Sequence, residues 1–265
     1  MEVVALSRAD EPRVAPLLRR LERGIRYPLG ADRFEIDHGD DPFRFFRRLG
    51  EARTFAAFED GRLAGVLTAV LRSIPTRDGG RRDAHYLCDL KAAPGRRGAR
   101  VLRPLAEAFE AHAPPDAPAY GVSMNAADGS NRLVRLAPRL FDGVRAAAAL
   151  RLYSLDAPDA TVAAPLLADR FGRPPTWASL AGVKEIVLES TGRPMPLLHA
   201  QVGPLAADGG RSAPVEGASH MFCHLAGDPL EARLRDAGLV PSAGATVLAR
   251  GLDDVAFDFV LTSDV

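Results

Sequence analysis

Tyr86-Leu87-Cys88-Asp89-Leu90-Lys91-Ala92-Ala93-Pro94-Gly95-Arg96-Arg97-Gly98-Ala99-Arg100-Val101-Leu102-Arg103-Pro104-Leu105-Ala106-Glu107-Ala108-Phe109 decides the fold. It reads as a short buried strand, a turn rich in Arg and Gly, and an amphipathic helix whose first turn carries cations. A strand feeding a helix through such a turn makes an anion site. Exposed amide N–H groups and the helix dipole point at the anion, and arginines add charge-assisted hydrogen bonds. In a cytosolic chain the anion that fits is the pyrophosphate of a nucleotide-like cofactor. The plainer alternative is a surface strand-turn-helix with solvated arginines.

Upstream, Met1–Leu6 predicts an opening strand. Val14, Leu17, Leu18 and Leu21 recur at helical spacing within 9–24, with arginines between them. Residues 25–39 are polar, aromatic and without periodicity, which predicts a long functional loop, and Pro42–Leu49 predicts a short helix. Thr54–Glu59 and Arg62–Ser73 flank the turn Glu59-Asp60-Gly61-Arg62, a hairpin signal. Downstream, strands are predicted at 119–125 and 147–155, with a helix at 131–140 between them. The remainder predicts a helix and linker at 158–175 and strands near 177–180, 184–189, 197–202, 220–225, 245–250 and 256–262. Asp228-Pro229 caps a helix over 230–237 that ends at Gly238.

The 265 residues are enough for one large or two modest domains, here 1–155 and 156–265. With 47% hydrophobic residues, 26% charged and no formal net charge, the composition is globular and carries no basic footprint for nucleic acid or acidic membrane. Lys91 and Lys184 are the only lysines; the remaining fixed positive charge is arginine. Cys88 and Cys223 lack metal-ligand spacing and fall in predicted strands, which suits a reducing, cytoplasmic setting. No segment reaches the length of a membrane span. His220 and His224 would lie about 13 Å apart along one strand, too far to share an ion, so no metal is expected.

The order strand, Pro94-x-x-Arg97-Gly98, helix resembles the acyl-CoA-binding segment of the GNAT superfamily of N-acyltransferases. The element order over 1–155 resembles that family too, although Arg100 and Leu102 occupy its next two small positions. Ile25 to Gly30, Tyr86 to Lys91, Ser190 to His199 and Thr262 to Asp264 resemble a bacterial group of GNAT proteins with a C-terminal extension. The resemblance implies an α/β fold (an α+β mixed sheet) of GNAT acyl-CoA N-acyltransferase type. The C-terminal part is expected to be either a partial second GNAT-like unit or an unrelated β-rich domain.

It further implies acetyl-CoA or another acyl-CoA as co-substrate, and a small or amino-acid-like amine as acceptor attacking the thioester directly. Main-chain contacts would come from Leu90, Lys91 and Ala92. The diphosphate would lie against Arg97, Gly98, Ala99, Arg100 and Val101, and Asn131 matches the family's Asn in the following helix. The Tyr that many members carry after that Asn is replaced by Pro138, so proton handling must come from elsewhere: Asp89, Tyr86 and Asn125 are the candidates. Cys88 reads as inert core, since nothing near it offers an activating base. Arg26, Tyr27, Arg33 and His38, with Ser123 at the end of the next strand, are the candidate acceptor-binding residues; two arginines and an aromatic suit a carboxylate-bearing acceptor. An acyl carrier protein or aminoacyl-tRNA as donor, and a degenerate GNAT fold serving as a binding module, stay open beside this reading.

Overall fold

The computed structural model describes residues 1–29, 32–95, 98–202 and 210–265. β1 (Glu2–Ala5) opens the chain, and α1 (Glu11–Arg23) turns Val14, Leu18 and Leu21 inward while Arg13, Arg20 and Arg23 stay exposed. Residues 25–39, expected as a loop, instead form β2 (Tyr27–Leu29) and β3 (Asp32–Asp37). Their partner explains the correction. β3 pairs antiparallel with β10 (Glu185–Leu188), a strand about 150 residues on, in a small sheet ordered β10-β3-β2. The alternation Asp32-Arg33-Phe34-Glu35-Ile36-Asp37 was its local signal.

α2 (Arg44–Leu49) precedes β4 (Glu51–Glu59) and β5 (Arg62–Pro75), joined through Asp60 and Gly61, both at positive φ. β6 (Arg81–Ala92) begins five residues earlier than the sequence suggests, because its polar start pairs with the end of β5. Then come α3 (Gly98–His112), β7 (Ala119–Met124), α4 (Arg132–Leu136) with a 3-10 turn over Ala137–Arg139, and β8 (Arg145–Leu155). The second part supplies α5 (Ala157–Phe171), β9 (Thr176–Ser179), β11 (Leu197–Gln201), β12 (Ser219–Leu225), α6 (Pro229–Asp236) and β13 (Ala243–Arg250).

Among the described residues these strands make one ten-stranded sheet, ordered β1-β4-β5-β6-β7-β13-β8-β12-β11-β9. Its centre is an exchange. β6 runs parallel to β7, followed by α4 and β8; β11 runs parallel to β12, followed by α6 and β13. The last strand of each half then lies beside the middle strand of the other: β13 against β7, β8 against β12. β8 and β13 also pair with each other, which joins the two halves into one continuous open sheet.

Residues 256–262 do not form the expected strand. β13 is flanked on both sides, so the chain leaving it finds no free edge; it crosses one face instead, with Phe257 at φ +62 and a 3-10 turn over Thr262–Asp264. Phe257, Phe259 and Val260 are buried there with Phe45, Phe46, Val70 and Tyr86, and Leu261 beside them is buried too. Alternation along β5 separates the layers: Val66 meets α1, Val70 meets α2, and Leu67 and Ala69 meet Leu105 and Phe109 of α3 on the other face. Further along that other face, α5 and α6 cover Tyr153 and Phe222.

Gly65 sets how close α3 comes to β6. A Cβ there would stand 2.5 Å from the Lys91 carbonyl oxygen and 2.5 Å from Val101 Cγ1. Gly65→Ala is therefore expected to destabilise the fold by about 1–3 kcal/mol through overpacking, read as a lower urea midpoint. An unchanged midpoint would mean the helix shifts freely.

Candidate active site

β6 and β7 pair over two residues each, His85 with Ala119 and Tyr86 with Tyr120, midway along β6 and at the start of β7, before they part. Gly121 sits at the vertex of this fork, where a Cβ would approach the Leu87 carbonyl to 2.9 Å. Beyond it β6 has a neighbour on one edge only.

The register against β5 breaks in the same stretch. Thr68 faces Cys88 and Val66 faces Lys91, so Leu67 alone stands opposite both Asp89 and Leu90. This is a β-bulge, and Asp89 takes φ +54. Alternation tells where the amides point. Ala93 donates to the Ala64 carbonyl at 2.8 Å on the β5 side, so Lys91 also faces β5, while Ala92 faces the open edge and Leu90 belongs to the bulge itself. Of the three expected main-chain donors, Ala92 is thus turned into the fork, Lys91 is turned away, and Leu90 sits in the bulge between Lys91 and Asp89.

The side chain of Lys91 has a different place. It is 7% exposed and donates to Glu22 Oε1 at 2.9 Å and to the Asp89 carboxylate. Glu22 Oε1 also meets His38 Nδ1 at 2.6 Å, and both side chains are 2% exposed. His38 is wedged against Phe45 and Phe46, with ring centroids at 5.4 and 5.2 Å. Tyr27, stacked on Phe34, is close enough for Lys91, Asp89 and Glu22 to act on its phenol, whose pKa is raised chiefly by burial. Glu22 Oε2, His38 Nε2 and Asp89 Oδ2 are buried without partners. They are three of the five such side-chain atoms among the described residues, so the unsatisfied polar groups concentrate in this cluster.

The start of α3 is open at Gly98. A Cβ at Gly98 would meet nothing within 4 Å, and Arg100 is exposed. Val101 is buried against β5 and Leu102 packs with the α3 core, so neither side chain fills the approach. Arg97 and the side chain of Ala99 lie outside the described residues.

The other expected residues are dispersed. Tyr86 is 3% exposed, stacks on Tyr120 and donates its hydroxyl to the Asp264 carbonyl at 2.8 Å. Asn131 caps α4, accepting from Leu133 and Val134, and donates to Asn125 Oδ1 at 2.8 Å and to the Ser123 carbonyl. Asn125 Oδ1 also accepts from Thr246, and Ser123 donates its hydroxyl to Asn131. These three residues thus tie β7, α4 and β13 together. Arg26 pairs with Glu35 at 2.7 Å and with Glu189 at 3.7 Å, so its charge is already met by carboxylates; Arg33 is exposed on the small sheet. Burial raises the Cys88 thiol, which agrees with an inert role. The sequence reading misses Glu22 altogether. Its signal was a carboxylate four residues after Leu18, on the apolar stripe of α1.

No protein-family model matches the chain, and no curated protein sequence does. Solved structures do match. The tandem GNAT protein from the clavulanic acid biosynthesis pathway covers 94% of this chain and 97% of its own, at 12% identity and TM-score 0.52. A GCN5-related N-acetyltransferase from Anabaena variabilis ATCC 29413 covers 95% of this chain and 73% of its own, at 11% identity and TM-score 0.45. The fold is that of the GNAT N-acyltransferases, with a second GNAT-like unit. Among the described residues no helix is long and apolar enough to cross a membrane, and no three His, Cys, Asp or Glu are grouped to hold a metal ion.

Proposed function

We propose that the chain is an acyl-CoA-dependent N-acyltransferase, in its simplest form an acetyltransferase, acting on the primary amine of a small or amino-acid-like acceptor. One observation carries the reading: the open edge of β6, with its bulge, leads from the fork to the N-terminus of α3. In this reading the CoA diphosphate lies at the first turn of α3, where backbone N–H groups and the helix dipole favour it. Gly98 allows close approach, and Arg97 and Arg100 add charge. The pantetheine arm follows β6, and the thioester carbonyl accepts from an amide of Leu90 or Ala92.

The neutral amine attacks the carbonyl carbon, the C–S bond breaks, and CoA leaves as a thiolate balanced by the proton the amine gives up. Aimed amide donors stabilise the oxyanion of that transition state, a contribution of about 2.7–4 kcal/mol per donor in comparable sites. The unpaired thiols Cys88 and Cys223 fit a cytoplasmic setting.

Thermal melts with acetyl-CoA, longer acyl-CoAs and free CoA test the reading. A CoA species at a hundredfold excess over its Kd contributes about 2.7 kcal/mol. The corresponding upward shift is roughly 5–10 °C. Arg100→Ala should shrink the shift, and an amine panel should then release free CoA thiol. An acyl carrier protein presents the same arm without a free nucleotide. Response to it alone would move the donor assignment, and indifference to both donors would leave the fold as a binding module.

A further inference from the structure

We infer that the buried ion set Glu22–Lys91–Asp89, closed by His38, is a clamp that holds the β6 bulge in the shape that aims its amides into the fork. Glu22 on α1 is then a positioning residue for acyl transfer. The inference rests on the function proposed above and adds to it residues that touch neither donor nor acceptor.

Two independent features fall on the same few residues. The first is strain. Asp89 holds φ +54 inside a strand, whereas Asp60 and Asp116 take positive φ in turns. A left-handed conformation costs a non-glycine residue about 1–2 kcal/mol, and no chain reversal requires it here. The second is incomplete pairing. Three buried polar atoms of the set have no partner, each at a cost of about 1–3 kcal/mol. Packed apolar side chains commonly serve stability as well as a buried ion set does. Stability is therefore a poor account of this one; strain and unmet polar groups beside an oxyanion site point to geometry instead.

The geometry has an anchor. Val14, Leu18 and Leu21 seat α1 on Ala56 and Val66 of β4 and β5. From that rigid support Glu22 reaches Lys91, Lys91 reaches back to the bulge residue Asp89, and His38 meets the same Glu22 oxygen that Lys91 does. The bulge is tied to a helix on one face of the sheet while α3 waits on the other.

Titration calorimetry with acetyl-CoA and free CoA as probes separates the clamp from a structural role. The CoA body contacts α3, so Glu22→Gln should leave free-CoA affinity within about twofold of wild type. Acetyl-CoA affinity should fall about tenfold, the worth of one well-aimed hydrogen bond. Hydrogen exchange across Asp89–Lys91 should rise in parallel. An unmoved ratio of acetyl-CoA to CoA affinity overturns the clamp while the proposed function stands. Wild-type protein that binds neither probe overturns both. Should Glu22→Gln fail to fold, Glu22→Asp keeps the charge, withdraws the carboxylate by one methylene, and is read by the same ratio.

Discussion

Lys91→Met is expected to destabilise the fold by about 3–5 kcal/mol, the usual consequence of removing one partner from a buried ion pair. For a chain of this size that is a melting temperature lower by roughly 10 °C. The methionine fills the space of the lysine stem, so loss of packing contributes little. The penalty comes from Glu22 and Asp89, left buried with no cation between them. Its pH dependence can be signed. Burial pushes the Glu22 carboxyl up, but the His38 hydrogen bond and the Lys91 charge outweigh it, and the pKa is lowered. Such a group supplies stability above its unfolded value of about 4.3 and loses it as pH falls through the folded value. Burial alone would lower Lys91, yet the charges of Asp89 and Glu22 raise it. Its contribution is complete below about 10.4 and is lost only as pH rises through the higher folded value. The wild-type clamp is therefore at full strength between about pH 5 and 10. Across that plateau the deficit of Lys91→Met should be largest, narrowing toward pH 4 as protonation of Glu22 relieves the variant. Urea titrations at several pH values measure it; a deficit that stays constant down to pH 4 would sink the explanation.

What could be read from the chain divides along the range of the interactions. The helix after Gly98 and the hairpin around Asp60-Gly61 are written in local periodicity and turn chemistry and appear where expected, and the strand before the helix appears with an earlier start, at Arg81. The exchange of β8 and β13 is not legible that way. Which strand lies beside β7 depends on how the two halves join into one sheet, and nothing within Ala243–Arg250 names β7 and β8 as its neighbours. The bulge is hidden for a related reason. A two-against-one register is a property of β5 and β6 together, and strict alternation taken from β6 alone misplaces Asp89 relative to Cys88. Lys91 left a trace of another kind, as one of two lysines in a chain that otherwise uses arginine. A compact ammonium can sit between two carboxylates where a planar guanidinium would demand more room. That preference is visible in the composition, although its partners are not.

Arg72→Met is the second large loss expected, and it tests how the C-terminal crossing binds the two halves. Arg72 of β5 is 7% exposed, donates to Asp264 Oδ2 at 3.0 Å and reaches the Tyr120 hydroxyl at 3.3 Å. From the second half, His199 of β11 meets Thr262 at 3.1 Å, and Thr262 donates to the Met221 carbonyl of β12 at 3.2 Å. Burial pushes His199 down to about 3, so this contact carries no titration near neutral pH. Without Arg72 the Asp264 carboxylate has two outlets: it stays buried unpaired, at about 3–5 kcal/mol, or the segment peels away. Peeling would expose Phe257, Phe259, Val260 and Leu261, at roughly 1.5–3 kcal/mol for each side chain. The second route costs more than the first, so the segment should stay docked and the whole fold should carry the loss. Arg72→Met is accordingly expected to melt roughly 10 °C lower with no new protease cleavage between 251 and 265. Adding Asp264→Asn should restore part of the stability, giving a coupling energy above about 1 kcal/mol in a double-mutant cycle. Early cleavage in that segment would show that the crossing opens first, and strictly additive losses would show that Arg72 and Asp264 are neighbours without being partners.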